Sequence, residues 1–309
     1  AAVVLAAIGG AYLWFHQSTA PEMAAGGNAS PAKQELVVPG GYKATLTLAD
    51  ASTIDLEAVK SGSLTRQGNT ELSSPGSGQL EYKSQGSDKD ILYNKITTPR
   101  GGQYKVVLPD GSKVWLNAAS SLRFPIAFAG DERSVLLTGE AYFEINPQPA
   151  PGGNGKKLPF IVNANGVKVS VLGTHFDVMA YADEATLQTT LLEGSVKVSS
   201  GNASGLLKPG QQAQVQDGKI KVIKTDAGSA VAWKDGFFNF EQGADVPEVM
   251  RQISRWYNVD VVYEKSVPQR EFDGKISRDE KIADLVKILE TNNINVRLDE
   301  KERRIVVMP

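Results

Sequence analysis

Side chains able to do chemistry are few and scattered. His16 and His175 are the two histidines, far apart in the chain, and cysteine is absent. Zinc ribbons, iron–sulfur clusters, disulfide staples and thiol catalysis therefore lack their ligands or nucleophile, and a histidine-rich metal site is excluded with them. The 35 acidic residues show no spacing of a calcium loop or of a carboxylate pair set for acid–base work. Gly152-Gly153-Asn154-Gly155 has the glycine content of a phosphate loop without the strand–loop–helix frame, and reads as an exposed tip. The reading is of a protein with no catalytic centre acting on other molecules, no metal and no cofactor. Aromatic side chains remain: Trp115, Tyr142, Phe143, Trp233, Phe237, Phe238, Phe240, Trp256 and Tyr257. Most such residues in strands and helices are core. Phe237, Phe238, Phe240, Trp256 and Tyr257 are the candidates for binding a partner protein, because aromatics supply large contact area at small entropic cost. Lys and Arg number 33, giving a formal net charge of -2, too little positive charge for broad nucleic-acid binding.

The elements that must position these residues fall into distinct stretches. Ala1 to Phe15 is apolar and uncharged, with Tyr12, Leu13, Trp14 and Phe15 crowding its far end. It reads as the C-terminal part of a membrane helix (1–17, truncated at its start), with its flank His16 to Ala32 free of Lys and Arg and so on the non-cytoplasmic side. The same run also fits the apolar core of a signal peptide cut near Ala24 or Ala25. Residues 18–34, rich in Ala, Gly, Ser, Pro and Asn, form a linker. From Glu35 to about Thr225 period-2 alternation dominates, as in Val167, Val169 and Val171 against Lys168 and Ser170, which predicts an all-β unit. Ala44–Leu56 aligns with Tyr104–Leu116 at an offset of 60, pairing Leu48 with Leu108, Asp50 with Asp110 and Ser52 with Ser112. Each copy predicts a strand, an Asp-x-Ser turn and a second strand, either as stacked solenoid layers or as two similar hairpins of one sandwich. Pro147 to Pro159 is a surface loop by composition.

After about Ala230 the period changes. Gly236–Phe240 predicts a short strand, and Asp245-Val246-Pro247-Glu248 a capped helix start followed by Val249, Met250, Ile253 and Tyr257 at helical spacing. Strands over Val259–Tyr263 and Phe272–Ser277, a helix around Ile282–Leu289 and strands over Ile294–Leu298 and Arg304–Met308 complete a βαββαββ order. The predicted class is mainly β with a C-terminal α+β domain. Its divisions are 35–95 (β-hairpin region), 96–228 (β domain) and 229–309.

Several motifs, taken in order, resemble the FecR family of membrane-bound anti-sigma regulators. They are Thr98-Pro99-Arg100-Gly101-Gly102, Leu108 to Asn117, Gly139-Glu140-Ala141-Tyr142-Phe143, Val171 to Phe176, Leu192-Glu193-Gly194-Ser195-Val196 and Leu207-Lys208-Pro209-Gly210-Gln211. The resemblance covers roughly Ile96 to Met308. Its C-terminal part is similar to the short domain at the N-terminus of secretins and TonB-dependent transducers. The resemblance implies a single-pass inner-membrane protein of a Gram-negative cell with this region in the periplasm. Its implied partners are the signalling domain of an outer-membrane TonB-dependent transducer, an extracytoplasmic-function sigma factor held by a cytoplasmic domain missing from these residues, and site proteases that release it. It also implies a candidate self-cleavage between Gly173 and Thr174, with the Thr174 hydroxyl attacking the preceding carbonyl. His175 adjoins that bond, but neighbouring strand side chains point to opposite faces, which argues against it as the base. A secretin-associated structural module and a carbohydrate-active β protein are the alternative readings.

Overall fold

The computed structural model describes residues 37–84, 91–152 and 155–309, and the expected membrane helix and linker lie outside them. Among the described residues no helix is long and apolar enough to cross a membrane.

Residues 41–224 build two β sheets over one core. The first runs from the edge strand Thr53–Asp55 through Thr45–Thr47, Tyr93–Thr98 and Ser120–Pro125 to Arg133–Glu144, then on to Ala203–Leu207 at its other edge. The second runs from Gly62–Gln67 through Gly102–Val107 and Lys113–Leu116, then the same Arg133–Glu144, to Lys219–Lys224. Successive hairpins alternate between the sheets: 160–171 in the first, 175–193 in the second, 196–207 in the first, 211–224 in the second. The two architectures expected from the sequence thus merge, a sandwich in its layers and solenoid-like in its progress. Leu46, Ile96 and Leu122 from one sheet meet Leu72, Val106 and Phe143 from the other, all fully buried. Because Leu46, Leu72 and Leu80 share that core, no separate core marks off the expected region 35–95.

One strand ties the sheets together. Arg133–Glu144 pairs with Ser121–Arg123 in its first half and with Lys113–Leu116 in its second. The change of sheet falls at Gly139, whose φ of +83° bends the strand. A Cβ there would lie 2.4 Å from Ser120 Oγ and 2.8 Å from the Ala119 carbonyl. Glycine is required on both counts.

The internal repeat is physical. In each copy the Asp carboxylate, of Asp50 or Asp110, accepts from the amide and hydroxyl of the serine two residues on. In each copy the flanking leucine, Leu48 or Leu108, bonds that serine's carbonyl. The residue between needs a left-handed backbone, and it is Ala51 (φ +67°) in one copy but Gly111 (φ +78°) in the other. The second copy also carries an ion pair between Asp110 and Arg133 at 2.5 Å, both nearly solvent-free. Arg133 further donates to the carbonyls of Asn146 and Leu158, so it closes the ends of the 147–159 loop over the core.

The C-terminal domain follows a short helix, Ala227–Val231. Helices Val246–Tyr257 and Ile282–Thr291 pack against a sheet ordered Asp260–Tyr263, Arg304–Val307, Val296–Asp299 and against two short ribbons. The strand expected over Phe272–Ser277 is broken at Asp273-Gly274 into Glu271–Phe272 and Lys275–Ser277, because Gly274 (φ +156°) turns the chain.

The repeat yields a paired prediction. Ala51→Gly relieves a left-handed alanine and leaves stability unchanged or raises it by up to about 1 kcal/mol, whereas Gly111→Ala costs about 1–2 kcal/mol. Urea unfolding of the two variants checks that only Gly111→Ala destabilises.

Candidate functional site: the junction of the two domains

The helix Val246–Tyr257 is the centrepiece of the contact between body and C-terminal domain. Asp245 caps it by accepting from the Glu248 amide at 2.7 Å, and Pro247 occupies its first turn. Val246, Val249, Met250, Ile253, Trp256 and Tyr257 bury one face in the domain's own core. Arg251 and Arg255, four residues apart, fall on a neighbouring stripe and meet the body. Arg255 reaches Asp183 and Glu184 at 2.7 Å each and stacks 3.9 Å over the Tyr181 ring. Arg251 reaches Glu184 at 2.7 Å. These acids sit on the turn between His175–Ala180 and Leu187–Glu193, so one β hairpin tip grips one helix.

The helix end is held from the other side by Thr98-Pro99-Arg100-Gly101-Gly102. Arg100 bonds Asp260 and the Ser254 hydroxyl at 2.8 Å each and also reaches the Val259 carbonyl. The Gly101 amide donates to the Arg255 carbonyl at 2.7 Å, satisfying an orphan carbonyl of the last turn. Thr98 fixes the motif's start by donating to the Asn117 carbonyl at 2.6 Å.

Between these grips lies a buried polar centre. Arg278 (3% exposed) donates to Asn117 Oδ1 at 3.0 Å and lies 4.3 Å from the Trp256 ring centroid and 5.0 Å from that of Phe238. Asn117 passes the contact on, donating to Glu140 at 2.6 Å. Burial pushes the Arg278 guanidinium down to about 10, leaving it charged at neutral pH. Burial also raises the Glu140 carboxyl, against the opposing pull of Asn117 and Arg278. Asp177, on the neighbouring strand, is raised well above the carboxylate range by burial and by the charge of Glu140. Its carboxylate accepts from the Trp233 indole N–H at 3.3 Å. Trp233 packs with Tyr142, Val231 and Trp115 on the same outer sheet face. A cleft of about 340 Å³ opens here, lined by Glu140, Asp177, Gln188, Gln212, Trp233 and Arg278 among others. The arrangement holds the two domains together.

The geometry places each of the aromatic candidates. Phe238, Phe240, Trp256 and Tyr257 are 0–3% exposed and form the C-terminal core, so in this fold they present no surface to a partner. Their spacing suits a core and an interface equally, and burial decided for the core. Phe237 is half-buried beneath Lys275. Gly173 (φ +147°) and Thr174 sit against a second turn: the Thr174 hydroxyl donates to the Ser195 carbonyl at 3.2 Å, and a Cβ on Gly194 would lie 2.9 Å from both the Gly173 carbonyl and the Thr174 hydroxyl. His175 turns to the other side, its Nδ1 3.2 Å from Glu193. Sequence reasoning missed Arg278, Arg255, Asp183 and Glu184. Arg255 adjoins the candidates Trp256 and Tyr257 in the sequence.

Two changes test the centre. Arg278→Ala strips a partner from buried polar groups and costs about 3–5 kcal/mol in urea unfolding. Asp177 holds its proton more tightly folded than unfolded, so its contribution is fully present below the unfolded pKa near 3.8 and is lost as pH rises toward the higher folded value. Asp177→Asn keeps an acceptor for Trp233, stabilises the chain at pH 7 by about 1–3 kcal/mol and flattens the decline of stability with pH.

Comparison with known proteins agrees with this architecture. The family model described as "FecR protein" matches residues 94–197, and the one described as "FecR, C-terminal" matches residues 238–307. A crystal structure at 2.50 Å of a Parabacteroides distasonis ATCC 8503 protein assigned as an anti-sigma factor is 30% identical. It matches with a TM-score of 0.62 over 70% of this chain and 98% of its own. A 1.65 Å structure under the same description is also 30% identical, with a TM-score of 0.61 over 69% and 97%. None of the curated proteins compared matches the chain. With both family models matched on the two domains that meet at Arg278, and a solved relative covered almost end to end, the chain belongs to the FecR family of anti-sigma factors.

Proposed function

We propose that these residues are the signal-receiving part of an anti-sigma factor. In this reading they lie in the periplasm behind one inner-membrane helix and bind the signalling domain of an outer-membrane TonB-dependent transducer. They control an extracytoplasmic-function sigma factor, held by a cytoplasmic domain on the other side, through regulated proteolysis. One observation carries the reading. The family's own motif residues Arg100, Gly101, Asn117 and Glu140 stand, with Asp183 and Glu184, on the body's side of the contact with the C-terminal domain. A partner that moves that domain must therefore act on them.

The surface offered to such a partner is a sheet edge with which no other described strand pairs. Asp260–Tyr263 pairs on one side with Arg304–Val307. The amides of Asp260 and Glu264 point into that pair, so the backbone of Val261 and Tyr263 faces away from it. Val262 is 42% exposed on this strand. Such an edge accepts an added strand. Titration calorimetry of the purified chain with the signalling domain encoded beside it is expected to show binding, weakened about tenfold by Val262→Glu. No heat of binding to that domain contradicts the reading.

Self-cleavage is the one covalent step this chain performs on itself in the proposal. The Thr174 oxygen attacks the Gly173 carbonyl carbon, the Thr174 amide nitrogen leaves as an amine, and water hydrolyses the resulting ester to an acid at Gly173 and a free Thr174. Gel analysis of purified protein is expected to give two fragments dividing at Thr174, abolished by Thr174→Ala. A single intact band for the unaltered chain removes the step and leaves the relay.

A further inference from the structure

The first described residues belong to both domains at once. Val37 is 6% exposed and packs in the C-terminal core, while Val38 beside it is 57% exposed. Gly40 lies flat on Trp256: a Cβ there would sit 2.6 Å from the indole ring. The Gly41 amide then donates to the Gly101 carbonyl at 3.0 Å, and Gly41–Tyr42 pairs in parallel with Gly102–Gln103. The Tyr42 ring covers Gly78, where a Cβ would lie 2.2 Å from it. The hold on the body is thus a two-residue ladder and one ring, too short to fix a strand alone. The hold on the C-terminal domain is a buried side chain and a backbone pressed on an indole.

We infer that Val37–Tyr42 is a latch. The C-terminal domain grips the segment through which residues 1–36 join the fold, and withdrawal of Trp256 frees it. Gly40 makes the grip steep, because the backbone contacts the ring directly and no side chain can follow the ring as it moves. The Gly101 amide, bonded to the last turn of the same helix, gives the strap and the helix a shared attachment. Coupling therefore runs from the C-terminal domain to the N-terminal chain beside the β body and not through its core. The latch rests on the relay reading only for the direction in which a signal passes.

The absence of cysteine makes a direct test available. In the full chain, the thiol of a V37C variant is expected to react with a maleimide at least about a hundredfold more slowly than that of V38C, as a packed segment must open first. Adding Gly40→Val, which cannot fit beside Trp256, is expected to raise the V37C rate by about tenfold or more while leaving V38C unchanged. Equal rates for V37C and V38C in the otherwise unaltered chain overturn the latch. So does a V37C rate that Gly40→Val leaves untouched. The first comparison needs no change at the contact, so it decides even where Gly40→Val fails to fold. No partner takes part, so the latch and the transducer reading stand or fall separately.

Discussion

A guanidinium cannot be taken out of water without partners for its charge and its N–H groups, and Arg278 finds them in two domains at once. Its own domain supplies the faces of Trp256 and Phe238; the body supplies Asn117, backed by Glu140. Separating the domains would leave Asn117 and Glu140 on one side and a bare cation between aromatic rings on the other. The cost of a buried charge without its partner, several kcal/mol, turns two folding units into one. The surrounding contacts refine that constraint. Arg251 and Arg255 set the helix against the hairpin tip, and Arg100 with Gly101 fixes its end. Asp177 is the strained member, a buried acid raised first by burial and then by the charge of another acid, Glu140.

The body is arranged to present these groups. Glu140 and Tyr142 face outward from the second half of Arg133–Glu144 while Ala141 and Phe143 face the core, because side chains alternate along a strand. Gly139 sets which half of that strand belongs to which sheet, and so places Glu140 one residue past the bend. A motif of five residues thereby codes a corner, a core and a docking surface together.

Much of this was legible in the sequence. Period-2 alternation gave the β body, and the Asp-x-Ser repeat gave two hairpins whose turns are alike down to the hydrogen bonds. Asp245 and Pro247 gave the start of the docking helix, since capping is a local event. Three things were not legible. Which aromatics face inward depends on what packs over them, so Phe238, Phe240, Trp256 and Tyr257 read as interface candidates and are core. Arg278 has no periodic signature; its role exists only once residues 161 apart meet. The docking of Val37 into the C-terminal core joins the two ends of the described fold, a pairing no local pattern encodes.

The central claim is that the body and the C-terminal domain unfold as one unit because they share a buried polar centre. Scanning calorimetry of the full chain at neutral pH tests it directly. The account predicts a single transition spanning residues 37–309, with the calorimetric and van't Hoff enthalpies equal. Two resolved transitions, with the smaller matching a domain the size of 238–307, would contradict it.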